Sequence, residues 1–319
     1  MAISLDVLLD ELRERAEMPS SASLYHLSNL ESEGQACVRE VWPRLPVELR
    51  RRLMTRLVEL AEADFEVDFG AVFRLGLQDE DAEVRTAAVE GLWEDQDVRL
   101  VPLLATVLRK DEAITVRAAA ATSLGRFVLM GELNKIRPEP HVTSYQALLA
   151  ACQAADEHWE VQRRALESLA YIGNDTVAEL IRQAYAAPEE KVRISAIFAM
   201  GRSADPRWTR QVCQELVSPN PELRYEAARA CGELELDEAV PELAELADDV
   251  DLEVQEAALW ALGQIGGDKA REVLEHCCLA ENEATRAAAE AALDELEFLH
   301  GDLSEFFTRL IGERITNSE

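Results

Sequence analysis

The chain has 319 residues, with 32 Lys+Arg against 62 Asp+Glu and a formal charge of −30 at pH 7, while 48% of its residues are apolar. This length suits two globular domains or one elongated array, and the apolar fraction is sufficient for a packed core. The charge excludes nucleic acid and anionic membranes as expected partners, because both are bound through basic patches. The sequence contains no run of 18 apolar residues, so no membrane span is predicted.

The first 65 residues are predicted to form a helical cap. Amphipathic patterns predict helices at about 3–17, 31–44 and 47–63, separated by a serine-rich linker that starts at Pro19 and by Pro46. The N-terminal stretch contains acids and has no basic segment before it, unlike a secretory signal peptide.

Self-similarity dominates residues 66–297. An anchor pair, usually Val or Leu followed by Arg or Gln, recurs at intervals of 31 or 32 residues, apart from one interval of 45. Periods of this size indicate a stack of repeated supersecondary units. The seven anchors are Val84-Arg85, Val116-Arg117, Val161-Gln162, Val192-Arg193, Leu223-Arg224, Val254-Gln255 and the degenerate Thr285-Arg286.

Each anchor lies in a helix, called the anchor helix below, that is predicted to pack against a companion helix. Alanine stands four residues after every anchor, as a close helix crossing requires. Positions 0, +4, +5 and +8 form one apolar face with a 3.6-residue period, and the last copy carries Glu290 at +5, as expected at the polar end of a stack. A glycine at +9 is predicted to stop the helix in a left-handed cap. These glycines are Gly125, Gly201, Gly232 and Gly263.

The repeats carry the signatures V-R-x-x-A-x-x-x-L-G and A-V-P-x-L. In these signatures the chain resembles HEAT repeats, in particular short bacterial repeats similar to those of phycobilisome-lyase-type proteins. The resemblance implies an all-α, right-handed α-solenoid of about seven two-helix repeats, with the anchor helices on its concave side. It also implies an Asp-to-Arg ladder between repeats, for which Asp79/Arg85 and Asp111/Arg117 have the six-residue separation. The ladder is expected to be incomplete at Gln162, Ala187, Ser218 and Gln255, which replace Arg or Asp.

Two further segments depart from the repeat. The long interval inserts residues at about 129–142, where Pro138 and Pro140 predict a loop or a short helix ended by a loop. Residues 298–319 are predicted to form a C-terminal capping helix, at about 303–311, and a tail.

The chemistry-bearing residues form no convincing catalytic, metal or cofactor constellation. None of the five histidines is followed by Glu, which argues against the di-iron hydroxylase dyads that HEAT-type repeats can carry, and the acidic charge argues against a DNA glycosylase. The six cysteines lack a CxxC pattern, which predicts reduced thiols and a cytoplasmic location.

Two runs contain residue types that are found in ligand sites. His276-Cys277-Cys278 is the most metal-like, but neighbouring helical residues point about 100° apart, and packing of the cysteines is the expected role. The basic run Arg50-Arg51-Arg52 with Arg56 fits either a phosphate or acidic-partner site, or a solvated helix face matched within the molecule.

Positions +2 and +6 of the anchor helices lie opposite the apolar face and are expected to point into the groove. Three consecutive repeats carry aromatic, aliphatic or Arg residues there, and such a contiguous patch is typical of a binding surface. The partner-binding candidates are Ile194, Phe198, Tyr225, Arg229 and Trp260. The alternative is that these side chains pack between helices because the assigned face is rotated by one position.

The predicted function is a non-enzymatic scaffold or adaptor whose groove holds a protein or peptide partner. The alternative is a lyase-like or chaperone-like accessory factor that assists modification or assembly of another protein. Residues 214–305 hold 25 acids and 5 bases, so the acidity is concentrated beside the candidate patch. The partner is therefore expected to be basic, with an association rate that falls as the salt concentration rises.

Overall fold

The structure is a computed structural model that describes residues 5–15 and 17–300. The regular elements of these residues are helices, which confirms the predicted all-α class. The α-helices are α1 (Leu5–Arg15), α2 (Ser21–Leu24), α3 (Ser32–Val41), α4 (Val47–Ala63), α5 (Gly70–Gly76), α6 (Ala82–Gly91), α7 (Leu100–Lys110), α8 (Ile114–Glu132), α9 (Pro138–Gln153), α10 (Trp159–Leu169), α11 (Asp175–Tyr185), α12 (Glu190–Arg202), α13 (Thr209–Glu215), α14 (Pro221–Glu233), α15 (Val240–Leu246), α16 (Leu252–Ile265), α17 (Gly267–Cys277) and α18 (Glu283–His300). The predicted helix at 303–311 lies outside the described residues.

Contacts divide the chain into two compact units, one ending at Leu169 and the other beginning at Ala170. In the first unit the anchor helices α6, α8 and α10 pack on one another in chain order, each against its companion α5, α7 or α9. In the second unit α12, α14, α16 and α18 form the same kind of row, with companions α11, α13, α15 and α17. The seven predicted helix pairs are therefore present within the described residues, as in an α-solenoid.

The first unit has one helix pair more than the repeat pattern predicts. α3 packs against α5 and α4 against α6, so this pair continues both rows by one step. Its anchor is Leu49-Arg50, where Leu53 replaces the alanine at +4 and hides the pattern. The predicted linker is wrong in part, because α2 forms inside it, with Ser20 Oγ accepting a hydrogen bond from the Ser23 amide at 3.2 Å.

The alanine at +4 lies where the helices cross, as predicted. All seven are 0% exposed: Ala88, Ala120, Ala165, Ala196, Ala227, Ala258 and Ala289. A Cβ built on Gly76 of α5 would lie 2.9 Å from the Cβ of Ala88, which shows how little room the crossing leaves. Glu290, at +5 in the last copy, is exposed.

The glycine at +9 does not stop the anchor helix, and that prediction is wrong. α12, α14 and α16 each continue through it. A Cβ at Gly201 would lie 2.8 Å from Cα of Ala230 in the next anchor helix, and one at Gly263 would lie 2.6 Å from the carbonyl oxygen of Ala292. The missing side chain therefore lets neighbouring backbones touch. The left-handed residue comes later, for example at Ala204 with φ 50°.

The insertion is mostly helical rather than a loop. It lengthens α8 to 19 residues and allows α9 to begin at Pro138, so only residues 133–137 connect them. Pro138 occupies the first turn of α9, where a missing amide proton is harmless. The prolines therefore start a helix here, and the expectation of a loop over 129–142 is corrected.

Arginines connect successive repeats as a ladder, but with different partners from those predicted. Arg85 donates from Nη1 to the backbone carbonyl of Asp79 at 2.8 Å, and its Nε and Nη2 donate to the Asp111 carboxylate at 2.8 Å. Arg117 repeats the arrangement with the Asp111 carbonyl and the Glu157 carboxylate. The six-residue relation is therefore made by the main chain, and each arginine joins its own turn to an acid one repeat further on.

In the second unit the ladder is incomplete at Ser218 and at Gln255, as the sequence predicts. Arg224 binds Asp249 at 2.7 Å in the same manner. Arg193 donates to the backbone carbonyl of Ala187 at 3.3 Å, but Ser218 occupies the position of the next acid. The boundary between α12 and α14 therefore lacks this carboxylate link.

The basic run of α4 is matched within the molecule, which favours the second of its two interpretations. Three of its arginines bind acidic side chains rather than standing free for a phosphate. The pairs are Arg50 with Asp79, Arg51 with Asp81 and Arg56 with Glu59.

The Arg51–Asp81 pair predicts a measurable acid dependence. The hydrogen bond from Arg51 lowers the pKa of Asp81 from 3.8 to about 2. Its stabilisation is therefore complete above pH 3.8 and is lost as the pH falls toward 2. Asp81→Asn keeps an N-cap for α6 but removes this charge, so we expect the difference in unfolding free energy between wild type and variant to shrink over that range. Urea titrations at a series of pH values measure it, and a difference independent of pH would contradict the assignment.

Candidate functional site

The five predicted partner-binding residues lie on three successive anchor helices of the second unit. Ile194 and Phe198 are on α12, Tyr225 and Arg229 on α14, and Trp260 on α16. All five are half-buried, so they are neither enclosed between helices nor fully solvated. We call these five residues the aromatic row.

Trp260 lies against the backbone of α14 because position 232 is a glycine. A Cβ at Gly232 would come within 2.6 Å of Trp260 Cζ3, so any larger residue would displace the indole. On the other side, the guanidinium carbon of Arg229 lies 3.5 Å from the centroid of the Trp260 ring, a cation–π contact. The ring and the guanidinium therefore hold each other in place.

A cleft of about 120 Å³ opens between α12 and α14 beside this stack. Its walls combine two aromatic rings with charged side chains. The lining residues are Phe198, Arg202, Tyr225, Glu226, Arg229, Ala230 and Glu233. Arg229 lines the cleft and contacts the indole, whereas Trp260 itself is absent from the lining.

Two residues of the cleft were missed by the sequence analysis. The guanidinium carbon of Arg202 lies 5.3 Å from the centroid of the Phe198 ring, and its Nη1 lies 3.3 Å from Glu233 Oε1. Both residues stand ten positions after their anchors, so a comparison of that position between neighbouring repeats would have revealed their opposite charges.

Glu233 is a desolvated acid of the cleft. Burial raises its pKa above the ordinary value, while the charges of Arg202 and Arg229 oppose the shift. Its side chain is 16% exposed, so little water screens its attraction for Arg202. This pair fixes the position of Arg202 against Phe198 and with it the shape of the cleft.

Acidic residues border the aromatic row. Lys191 of α12 and Glu222 of α14 each stand one residue before their anchor, and they form an ion pair at 2.6 Å. Residues at this position on α12 and α14 are therefore neighbours. Glu253 of α16 has the same position as Glu222, and Glu256 has the position of Tyr225. Both are exposed. The surface around the aromatic row therefore changes along the stack, and exposed acids flank the row on α16.

The cysteine run of α17 has the character of packing residues. Burial raises the pKa of both Cys277 and Cys278, so the thiols stay protonated at neutral pH. Among residues 5–15 and 17–300, no three His, Cys, Asp or Glu side chains come together in a way that could hold a metal ion. Likewise, no helix within the described part of the chain is long and apolar enough to cross a membrane.

Larger cavities lie in the first unit. One of about 830 Å³ between α3, α5 and α7 contains Arg74 and Arg99, which bind Asp95 and Asp97 within the molecule. Another, of about 640 Å³ between α7 and α9, is lined largely by alanine methyl groups above Arg117. Arg74 and Arg99 are thus paired within the molecule, and Arg117 belongs to the ladder, whereas the cleft of the second unit combines aromatic rings with a desolvated acid.

Comparison with known proteins agrees with this architecture. A family model described as HEAT repeats matches residues 71–137, 145–211 and 209–294. No curated protein matches the chain in sequence.

Solved structures of similar fold include Kap95p bound to RanGDP and Kap95 bound to Nup1. The first is 14% identical over 92% of this chain and 45% of that chain, with a TM-score of 0.52. The second is 14% identical over 98% of this chain and 48% of that chain, with a TM-score of 0.53. This chain thus spans less than half of either one, and identity this low supports the fold alone. An engineered protein is 20% identical over 62% of this chain and 96% of its own, with a TM-score of 0.43.

Proposed function

This chain belongs to the HEAT-repeat family, and we propose that it is a non-enzymatic scaffold or adaptor that binds a protein or peptide partner on the aromatic row. The observation that carries the proposal is the half-burial of aromatic side chains on three successive anchor helices. Stacked repeats present extended surfaces suited to protein recognition. Arg and aromatic residues dominate the energetics of such interfaces. Kap95p, of similar fold, is seen with the proteins RanGDP and Nup1.

The charge of the second unit supports a basic partner. The 25 acids against 5 bases of residues 214–305 would attract a cationic surface and repel nucleic acid or an anionic membrane. The six cysteines are free thiols, consistent with the proposed cytoplasmic location. The lyase-like or chaperone-like accessory role stays an alternative prediction that no observation favours.

The double variant Phe198→Ala/Trp260→Ala is expected to lose its specific partners. Each ring is an interface anchor of a kind whose truncation costs about 2 kcal/mol, so retention should fall by at least an order of magnitude. The measurement is quantitative affinity capture from extracts of the source cells, with cross-linking to map bound peptides to α12, α14 and α16.

The control is Thr86→Ala/Thr122→Ala, which truncates one +2 and one +6 position on the anchor helices of the first unit, whereas Phe198 and Trp260 both stand at +6. We expect this variant to retain the partners of the wild type. Equal retention by the aromatic double variant and the wild type would show that the aromatic row is not the binding surface.

Electrostatic steering should appear in the kinetics. The association rate of the captured partner is expected to fall steeply between 50 and 500 mM salt, since screening shortens the reach of the acidic surface. Stopped-flow measurement of the rate at several salt concentrations tests this, and a rate independent of salt would argue against a basic partner.

A further inference from the structure

We propose that the cleft between α12 and α14 receives one aromatic side chain from a basic peptide segment, stacked on the free face of the Arg229 guanidinium. This inference rests on the proposed function and specifies the chemistry of the partner at one point of the aromatic row.

The first argument is the position of Arg229. Its guanidinium carbon lies 3.5 Å from the centroid of the Trp260 ring, a distance that fits stacking, and Arg229 also lines the cleft, whereas Trp260 does not. A planar guanidinium can stack on aromatic rings with both faces. An aromatic side chain in the cleft would therefore complete a three-layer stack of Trp260, Arg229 and the incoming ring, whose first two layers already exist in the free protein.

The second argument is the size and lining of the cleft. Its volume of about 120 Å³ is close to the ~150 Å³ of an apolar cavity that binds benzene. Phe198 and Tyr225 supply ring surfaces, and Ala230 leaves space between them. An aliphatic side chain would desolvate the Arg202–Glu233 pair and Arg229 without compensation, whereas the face of an aromatic ring attracts a guanidinium. The lining therefore favours Phe, Tyr or Trp over Leu or Ile.

The third argument is charge. Glu233 offsets part of the positive charge of both arginines of the cleft, since it lies 3.3 Å from Arg202 Nη1 and the charge of Arg229 also opposes the rise in its pKa that burial causes. Glu253 and Glu256 are exposed on the next anchor helix, within the most acidic part of the chain. Lys or Arg residues next to the aromatic anchor would pair with these acids, whereas acidic residues would be repelled.

The experiment is selection of a random dodecapeptide display library on the full-length protein, followed by affinity measurement with synthetic peptides. We expect the enriched peptides to carry Phe, Tyr or Trp with Lys or Arg nearby. Replacing the aromatic residue of an enriched peptide by Ala should weaken binding roughly 30-fold, as for an interface anchor, and replacing it by Leu should also weaken binding.

Variants of the protein separate stacking from charge. Arg229→Ala and Arg229→Lys should each weaken binding of the same peptide roughly 10-fold, because lysine keeps the charge but has no planar face. The control is Arg182→Ala, since Arg182 also lies over a tryptophan ring, that of Trp208 at 5.9 Å, but on the companion helix α11. That variant should bind as the wild type does. Circular dichroism of every variant verifies its fold.

The outcomes distinguish this inference from the proposed function. The selected peptides could lack an aromatic residue, or be acidic, and still bind the wild type but not the Phe198→Ala/Trp260→Ala variant. That result would overturn the aromatic-and-basic specificity and leave the scaffold proposal standing. Full binding of the selected peptides by Arg229→Lys would overturn the stacking. Absence of any enrichment, or enriched peptides indifferent to the aromatic row, would overturn both.

Discussion

Replacing Asp79 with alanine is expected to lower the free energy of unfolding of the first unit by about 3–5 kcal/mol, the usual effect of removing one partner of a buried ion pair. The Asp79 side chain is 3% exposed and lies 2.9 Å from Arg50 Nε. It also accepts hydrogen bonds from Trp42 Nε1 at 2.6 Å and from the Asp81 amide at 2.9 Å. Alanine would leave the Trp42 indole N–H without its acceptor, and it would leave the buried Arg50 guanidinium with the Leu45 carbonyl but without a counter-charge.

Urea unfolding followed by circular dichroism, together with amide exchange in α4 and α6, measures this loss. The matched control is Asp175→Ala, because Asp175 also contacts an arginine, Arg207 at 3.4 Å, but its side chain is 97% exposed. We expect no measurable change for the control. Equal behaviour of the two variants would mean that burial does not govern the strength of the Asp79 contacts.

Gly263→Ala is expected to destabilise the second unit by about 1–3 kcal/mol, the range for an overpacked contact. Helix propensity alone predicts the opposite sign, since alanine is about 1 kcal/mol better than glycine within a helix. Packing decides because the new Cβ would lie 2.6 Å from the carbonyl oxygen of Ala292, and a backbone atom cannot rotate away. α16 and α18 would have to move apart.

The control for this substitution is Gly173→Ala. A Cβ at Gly173 meets nothing within 4 Å, and its φ is not in the left-handed range, so the variant should be neutral or slightly stabilising. Thermal unfolding of both variants compares them directly. If Gly263→Ala raised the melting temperature as Gly173→Ala does, the close approach of α16 and α18 would be incorrect.

Much of the fold could be predicted because the repeat imposes the same packing seven times. The alanine at +4 is a reliable signal, since a single copy would be ambiguous but seven identical copies imply one crossing geometry. The glycine at +9 was misread because helix stops and close backbone contacts both favour glycine, and sequence alone does not separate them. The α3–α4 pair was missed because Leu53 replaces the diagnostic alanine.

The candidate site was predictable only in part. Residues at +2 and +6 are recognisable from the period of one helix, so the aromatic row could be assembled from the sequence. The pairing of Arg202 with Glu233 and the seating of Trp260 on Gly232 depend on how two neighbouring helices align. That alignment is a property of the packing. The arginine ladder shows the same limit, since Arg85 binds the carboxylate of Asp111 in the next repeat and only the backbone carbonyl of Asp79 in its own.

One gap in the ladder falls at the boundary between α12 and α14, which the aromatic row crosses. In a stack of repeats, cooperativity depends on the coupling between neighbours, and a boundary with weaker coupling opens more readily than the rest. The ion pairs that span this one, Lys191 with Glu222 and Arg202 with Glu233, each include a side chain at least one-third exposed. A peptide that touches Phe198 and Tyr225 bridges the same boundary and adds coupling where the ladder carboxylate is missing. Ligand binding and local unfolding are therefore linked equilibria at this point of the stack, and the bound state should exchange the amide protons of α12 and α14 more slowly than the free one.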